Sequence, residues 1–446
     1  MRAASNSTVR RSVLGKRCRR FCRLVSFACF GLTSFLVLAE TRVLFASQRQ
    51  QKQAPLINLG KPQSIPKQYI VVFRPRTSQN SIQSIEKTVQ RLGGTIRFRY
   101  RSALLGFSAL LPDKALQFVR IVREVEWIEA NVMVSISSTQ RKPPKGLDRT
   151  SERVLPLNNT YNYTETGAGV HVYVIDSGIL ITHPEFGGRA SWAFTAIDRV
   201  ADDCNGHGTH VAGTIGGSTY GIAKEVILHA VRVLRCEGIG PSDGVVAGID
   251  WVTSHWIPPA VANLSINYPP DIPSPSAERA INNSIASGVT YAIAAGNSDV
   301  DACGVTPANV LAAITVGSID PTNDRRADES NFGACLDLFA PGVDILSAWI
   351  NDSRIAPPCI MESVTPGHMS ARCSGTSMAA PHVAGVAALY LQHHWKARPS
   401  EVWHYIHTYT NNVTGTPRWR GVIDGGRGSP NELLHWGPLR GGIDDR

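Results

Sequence analysis

Aromatic residues make up only 7% of this 446-residue chain, and charged residues only 18%. No apolar run reaches the ~20 residues that a membrane-spanning helix needs; the longest, Leu24–Ala39, stops at Glu40-Thr41-Arg42. There is no internal repeat, which argues against a solenoid or propeller. No basic-aromatic binding module is visible either, so a dedicated nucleic-acid role is excluded despite the formal charge of +10. That charge is unevenly spread. Up to Ser137 there are 23 basic residues against 6 acidic, a net +17; from Ser138 onward 22 against 29 give −7. A basic N-terminal part is therefore suited to associate with an acidic C-terminal part.

Residues 1–23 carry eight Arg and Lys and no acid, followed by the apolar run and Val37-Leu38-Ala39. This is the layout of a secretory signal. Residues 1–46 are expected to be a cleaved signal peptide, with an uncleaved anchor as the alternative. Three cysteines (Cys18, Cys22, Cys29) fall in that segment, and six remain: Cys204, Cys236, Cys303, Cys335, Cys359 and Cys373. An even number in a secreted chain suits disulfides. Asn162, Asn351 and Asn412 open candidate glycosylation sequons.

Residues 47–68 are polar and read as a linker without a packed core. Residues 69–137 then alternate as strand (Tyr69–Phe73), helix (Ser81–Leu92), strands (Ile96–Tyr100, Gly106–Leu111), helix (Asp113–Glu124) and a last strand within Val125–Ile136. This β-α-β-β-α-β order predicts a small α+β sandwich. Ser137–Asn162 reads as a polar connection. Beyond it, apolar runs at Val170–Ile175, Val226–Val233, Ala260–Ile266, Val289–Ala295 and Ala312–Val316 alternate with helical segments at 210–217, 242–252, 275–287, 377–393 and 399–408. Such alternation predicts an α/β fold with parallel strands buried on both faces, over residues 138–436. Residues 437–446 read as a loose tail.

Three segments carry chemistry. Asp176 ends an apolar strand and is followed by Ser177-Gly178, a plain turn unless its carboxylate orients an imidazole. His207 lies between two glycines before a helix of small residues, which leaves the ring unobstructed. Its alternative, a metal pair with His210, lacks the glutamate of a zinc-protease motif; His210 reads as buried and structural. Ser377 follows Gly375-Thr376 at a helix start, with Pro381 expected in the first turn. Alone it is an ordinary N-cap. With the other two it becomes a nucleophile whose own N–H can donate to an oxyanion. Asn297, after Ala294-Ala295-Gly296, offers a second oxyanion donor.

At Val172–Gly178, Asn205–His210, Ser374–His382 and Asn297 the chain resembles the subtilisin-like serine proteases, most closely the proteinase K and aqualysin branch, over roughly residues 138–430. The resemblance implies a self-processing serine endopeptidase with a mostly parallel sheet flanked by helices. Residues 69–137 resemble that family's inhibitory propeptide, and Asn131–Ser138 would leave through the active site. By the same resemblance Gly238, Ile239 and Gly240 form the edge that pairs with an extended substrate, and Leu264, Ser265 and Ile266 the opposite wall. It also implies the bridges Cys204–Cys236 and Cys303–Cys335; Cys359 and Cys373 are then expected to staple a long loop, Asn351–Cys373. No cofactor is expected for catalysis, but a structural calcium is implied, held by Asp337 and the carbonyls of Leu311 and Ala313. Protein or peptide substrates and a monomeric enzyme follow. One departure stands out: Ser265-Ile266-Asn267-Tyr268 replaces the family's usual glycines, which puts broad specificity in doubt.

Overall fold

The computed structural model describes residues 53–59, 64–132, 138–350, 359–363, 369–410 and 421–436. The expected signal, the tail after Trp436, the sequons at Asn351 and Asn412 and most of the segment Asn131–Ser138 lie outside these. The chain divides into two units, residues 1–134 and 135–446.

In the first unit, strands β2 (Ser64–Phe73), β3 (Thr95–Tyr100), β4 (Gly106–Leu110) and β5 (Val125–Val132) alternate with helices Gln79–Arg91 and Asp113–Ile121 in the expected order. A short strand β1 (Leu56–Ile57) completes the sheet order β1-β5-β2-β4-β3. Ile82, Ile85 and Val89, at helical spacing, share a core with Val71, Phe73, Phe107 and Ile128. The linker expectation for 47–68 needs correcting. β2 begins at Ser64, β1 pairs in parallel with β5, and Ala54 is buried. Main-chain pairing with β5 holds this segment, with Ala54 and Leu56 packed on the core, and composition does not register such pairing.

The second unit is built on a seven-stranded, all-parallel sheet. Its strands are β8 (His171–Asp176), β9 (Ala190–Thr195), β10 (Ile227–Arg232), β11 (Ala260–Leu264), β12 (Thr290–Ala294), β13 (Ile314–Ile319) and β14 (Leu338–Pro341). They lie in the order β14-β13-β12-β11-β8-β10-β9. Val172 and Val174 enter one core, with helices His207–Gly216 and Thr376–Leu391. Tyr173 and Ile175 enter the other, with helices Ser242–His255 and Pro275–Ser287. That period-two split is why Val172–Ile175 reads as one unbroken apolar run. After β8 the chain builds β9 and β10 on one side, then crosses to β11. The crevice beyond the carboxyl ends of β8 and β11 is thus a topological switch point, the usual ligand site of such sheets.

Three further corrections concern this unit. Ser137–Asn162 is not a bare connection: β6 (Ser138–Arg141) pairs with β7 (Thr160–Tyr163) around helix Lys145–Ser151. That helix buries Leu147, and Arg149 pairs with Asp324 at 2.5 Å. Charged letters hid a buried ion pair. Pro381 is the sixth residue of its helix, not part of the first turn. The loop expected between Asn351 and Cys373 carries strands β16 (Ile360–Ser363) and β17 (Ser370–Cys373), which join β15 (Ile345–Ala348) in an antiparallel sheet; residues 351–358 and 364–368 lie outside the description.

Candidate active site

Asp176 closes β8 at the switch-point crevice and is fully buried. Its Oδ1 accepts from the Ser177 N–H at 2.7 Å, and both carboxylate oxygens face Nδ1 of His207, at 2.8 and 3.0 Å. Because a carboxylate only accepts, Nδ1 carries the proton and Nε2 is left as the basic nitrogen. Burial disfavours a charged His207. The Asp176 charge, its hydrogen bond and the Asp203 charge outweigh that and raise the pKa above the usual 6.5.

The loop before His207 is organised by a residue the sequence reading passed over. Asp203 Oδ1 accepts from the N–H groups of Asn205 and Gly206 and from Ser177 Oγ; its Oδ2 accepts from Thr209 N–H and Oγ1. Ser177 Oγ in turn accepts from Gly208 N–H at 2.9 Å. One acid four residues ahead of His207 therefore satisfies the free donors of a helix start; an Asp just before a glycine-flanked histidine was the available signal. Gly206 has φ +103°, and a Cβ there would lie 2.5 Å from the Trp349 ring. The ring of His207 thus enters from a backbone only glycine permits.

Ser377 is the second residue of the Thr376–Leu391 helix, where N–H groups lack an intrahelical acceptor. Its hydroxyl donates to the Ser265 carbonyl at 3.2 Å in the resting geometry rather than to the imidazole. Asn297 sits just past β12. Its Oδ1 accepts from Thr376 N–H at 2.8 Å and from Thr376 Oγ1 at 2.9 Å, which fixes the side-chain amide beside the helix start with Nδ2 left to donate. Thr376 Oγ1 also accepts from Gly296 N–H. Thr376, unremarked in the sequence, is what orients the amide.

The proposed cleft walls behave differently. Leu264 is buried in the core and offers only main chain; Ser265 is nearly buried, and Ile266 is half-buried. Gly238–Gly240 forms a turn, with Ile239 65% exposed and its carbonyl accepting from Arg235 N–H at 2.8 Å. That carbonyl is engaged locally, as is the Gly238 N–H, which donates to the Arg235 carbonyl at 3.0 Å, leaving the Gly238 carbonyl and the groups of Gly240 for a partner. Asn267 Nδ2 donates to the Ala294 carbonyl, and the Tyr268 hydroxyl shares a 2.8 Å hydrogen bond with Ser242 Oγ.

His210 is buried, with Nε2 at 2.9 and 3.2 Å from the carbonyls of Ile345 and Ala371; burial lowers its pKa to about 3. It supports the fold and is not part of the reactive set. Sulfur–sulfur distances of 1.99, 2.12 and 2.04 Å join Cys204 to Cys236, Cys303 to Cys335 and Cys359 to Cys373. Asp337 Oδ2 accepts from Thr315 N–H; burial, with the Glu432 charge adding, pushes its carboxyl up to about 7. A buried carboxylate whose charge is so disfavoured suits a hard cation with oxygen ligands. Leu311 is exposed and Ala313 buried.

The Subtilase family pattern matches residues 167–422. The chain belongs to the Subtilase family. It is similar to an extracellular serine proteinase of Thermus sp. (strain Rt41A), 43% identical over 86% of this chain and 93% of the relative. Proteinase R of Parengyodontium album is 38% identical, over 81% and 88%. The solved structure of a cold-adapted subtilisin-like serine proteinase matches with a TM-score of 0.57 at 43% identity, covering 66% of this chain and 98% of that one. This subtilase is a serine endopeptidase, and its substrates are proteins or peptides. Its fold is the subtilisin-like α/β arrangement expected from the sequence.

Proposed function

We propose that this subtilase cleaves peptide bonds with Ser377 as nucleophile, His207 as base and Asp176 as orienting acid. The observation that carries the reading is the 2.8 Å contact that fixes Nδ1 of His207 on a buried carboxylate. His207 Nε2 takes the Ser377 proton as Oγ attacks the substrate carbonyl, then gives it to the leaving amine. Asp176 stabilises the imidazolium formed in between. Asn297 Nδ2 and the Ser377 N–H hold the oxyanion, and water releases the acyl-enzyme. Gly238 and Gly240 bind extended substrate on one side, and the main chain of Leu264–Ile266 on the other.

Residues 69–137 act as folding template and inhibitor in this reading, removed by the enzyme's own site, and the mature enzyme is a secreted monomer. The extracellular Thermus relative supports secretion, as do three disulfides. Among the described residues no helix is long and apolar enough to cross a membrane. Asp337, with the carbonyls of Leu311 and Ala313, is the proposed calcium site; the ion would neutralise a buried charge and brace the loop before β14.

A fluorophosphonate probe tests the central claim. Labelling confined to Ser377, and lost in Ser377→Ala, is expected. An unlabelled folded protein would instead mean a peptide-binding relative without activity. Ser377→Ala precursor that still matures in isolation would remove self-processing, and N-terminal sequencing of the wild type decides between cleaved signal and anchor.

A further inference from the structure

The Cys204–Cys236 bridge joins the loop that presents His207 to the turn that carries Gly238–Gly240. Its two sulfurs are not equivalent. Cys236 is exposed, whereas Cys204 is half-buried. Nη2 of Arg232 lies 3.2 Å from Cys204 Sγ and 3.9 Å from Cys236 Sγ. Arg232 is itself 5% exposed and firmly held: Nη1 donates to the Val200 carbonyl at 3.1 Å, Nε to the Leu234 carbonyl at 3.3 Å, and Asp198 pairs with it at 3.1 Å. A fixed cation therefore stands at the inner sulfur while the outer one faces solvent. The Cys303–Cys335 bridge also has an exposed cysteine, Cys303. Among the described residues no side-chain donor reaches its sulfurs. The third bridge ends on fully buried Cys373.

We propose that Cys204–Cys236 is a thiol-exchange site through which a small thiol adjusts substrate binding. The thiolate of the small thiol attacks Cys236 Sγ. A new S–S bond forms there, the Cys204–Cys236 bond breaks, and its electron pair departs on Cys204 as a thiolate. Arg232 stabilises that leaving group, and a better-stabilised leaving thiolate departs faster. A second thiolate then attacks the outer sulfur of the adduct. It frees Cys236 and yields the oxidised dimer of the small thiol, so two thiols supply the two electrons.

Opening the bridge does not dismantle the base. The Asp203 bonds to Asn205, Gly206 and Thr209 are independent of it, as is the Asp176–His207 contact. The Gly238–Gly240 turn loses its covalent tether and keeps one link to the His207 loop, from Asn205 Nδ2 to the Cys236 carbonyl at 2.8 Å. Substrate pairing loosens more than the chemical step, so KM rises while kcat changes little. This consequence rests on the function proposed above; the exchange chemistry does not.

The test titrates the folded full chain with reduced glutathione and maps thiols and adducts by differential alkylation and peptide mass spectrometry. Expected are opening of Cys204–Cys236 ahead of Cys303–Cys335, glutathione attached to Cys236, and opening about tenfold slower in Arg232→Met. Simultaneous or earlier opening of Cys303–Cys335, an adduct on Cys204, or an unchanged rate in the variant would overturn the exchange site. If Arg232→Met does not fold, the order of opening and the adduct position in the wild type still decide. KM for a peptide substrate should rise about threefold or more in the opened protein, with kcat within about twofold, as expected for lost ground-state contacts. Unchanged KM overturns the coupling. Fluorophosphonate labelling of Ser377 in parallel shows whether the catalytic reading itself has failed.

Discussion

Ser265 and Ser377 exchange two hydrogen bonds: Ser265 Oγ donates to the Ser377 carbonyl at 3.0 Å, and Ser377 Oγ donates to the Ser265 carbonyl at 3.2 Å. The first of these has a cause in the helix. A helical carbonyl at Ser377 would accept from residue 381, but that residue is proline and has no N–H. Ser265 takes the vacant role and ties the Ser377 backbone to the end of β11. The Asn263 side chain donates to Ser265 Oγ in turn.

Ser265→Ala removes that donor while keeping the wall's main chain. We expect a loss of about 1–2 kcal/mol in stability from the orphaned carbonyl and Asn263 amide. A fall in kcat of about tenfold should accompany it as the helix start loosens, since small misplacements of reacting groups are costly. Thermal unfolding and steady-state kinetics check both.

Asp176→Asn should lower kcat by about 10⁴ through the wrong imidazole tautomer. The wild-type pH profile carries a second expectation. His207 must be neutral to accept a proton, and its pKa is raised, so activity is lost as pH falls through a value above 6.5. For stability the sign is opposite: the His207–Asp176 pairing contributes fully below the unfolded pKa and fades as pH rises through the folded one. Asp203→Asn removes one of the charges that raise His207 and should move the acid limb downward, read from kcat/KM against pH.

Thr376→Val keeps the backbone bond to Asn297 but deletes Oγ1, which bonds both Asn297 Oδ1 and Gly296 N–H. With the oxyanion amide less well aimed, kcat should drop while KM holds. The expected size is about tenfold, less than the roughly 10²–10³ of deleting an oxyanion donor outright, as in Asn297→Ala.

Asn267 bridges the ends of β11 and β12 through the Ala294 carbonyl, close to the oxyanion segment. Asn267→Gly should open the crevice and raise kcat/KM for substrates with a large aromatic residue before the scissile bond. One or two methylenes' worth of room corresponds to about 10–200-fold in selectivity. A peptide-library profile of wild type and variant measures it.

Chelator treatment should lower the unfolding temperature of the wild type and leave Asp337→Asn unaffected. Added calcium should reverse the first effect, because an ion bound to the folded state alone stabilises it by mass action. Differential scanning calorimetry with and without chelator reads both.

The proposed reactive residues stood out because each lies beside a backbone feature that local sequence encodes. Asp176 ends an apolar run, His207 is bracketed by glycines, and Ser377 opens a helix of small residues. The five strands nearest the middle of the sheet were legible for a related reason, since burial on both faces writes itself as mostly apolar runs. Edge strands are less marked. β9 keeps Trp192 exposed, and β14 is four residues long, so neither stood out. β1 is only two residues long, and the start of β2 holds polar residues by main-chain pairing, which leaves no mark on composition.

The amino-acid order by itself determined the fold class and singled out the side chains proposed to react, because hydrophobic period and turn chemistry are properties of neighbours along the chain. Only the tertiary structure decided which groups hold those side chains in place. Asp203 under the His207 loop, Thr376 on Asn297, Ser265 on the Ser377 carbonyl and Arg232 against Cys204 are each set by the close approach of separate segments. A hydrogen bond needs its partners within about 3 Å. Distances across a folded sheet come from packing, and no stretch of sequence contains them.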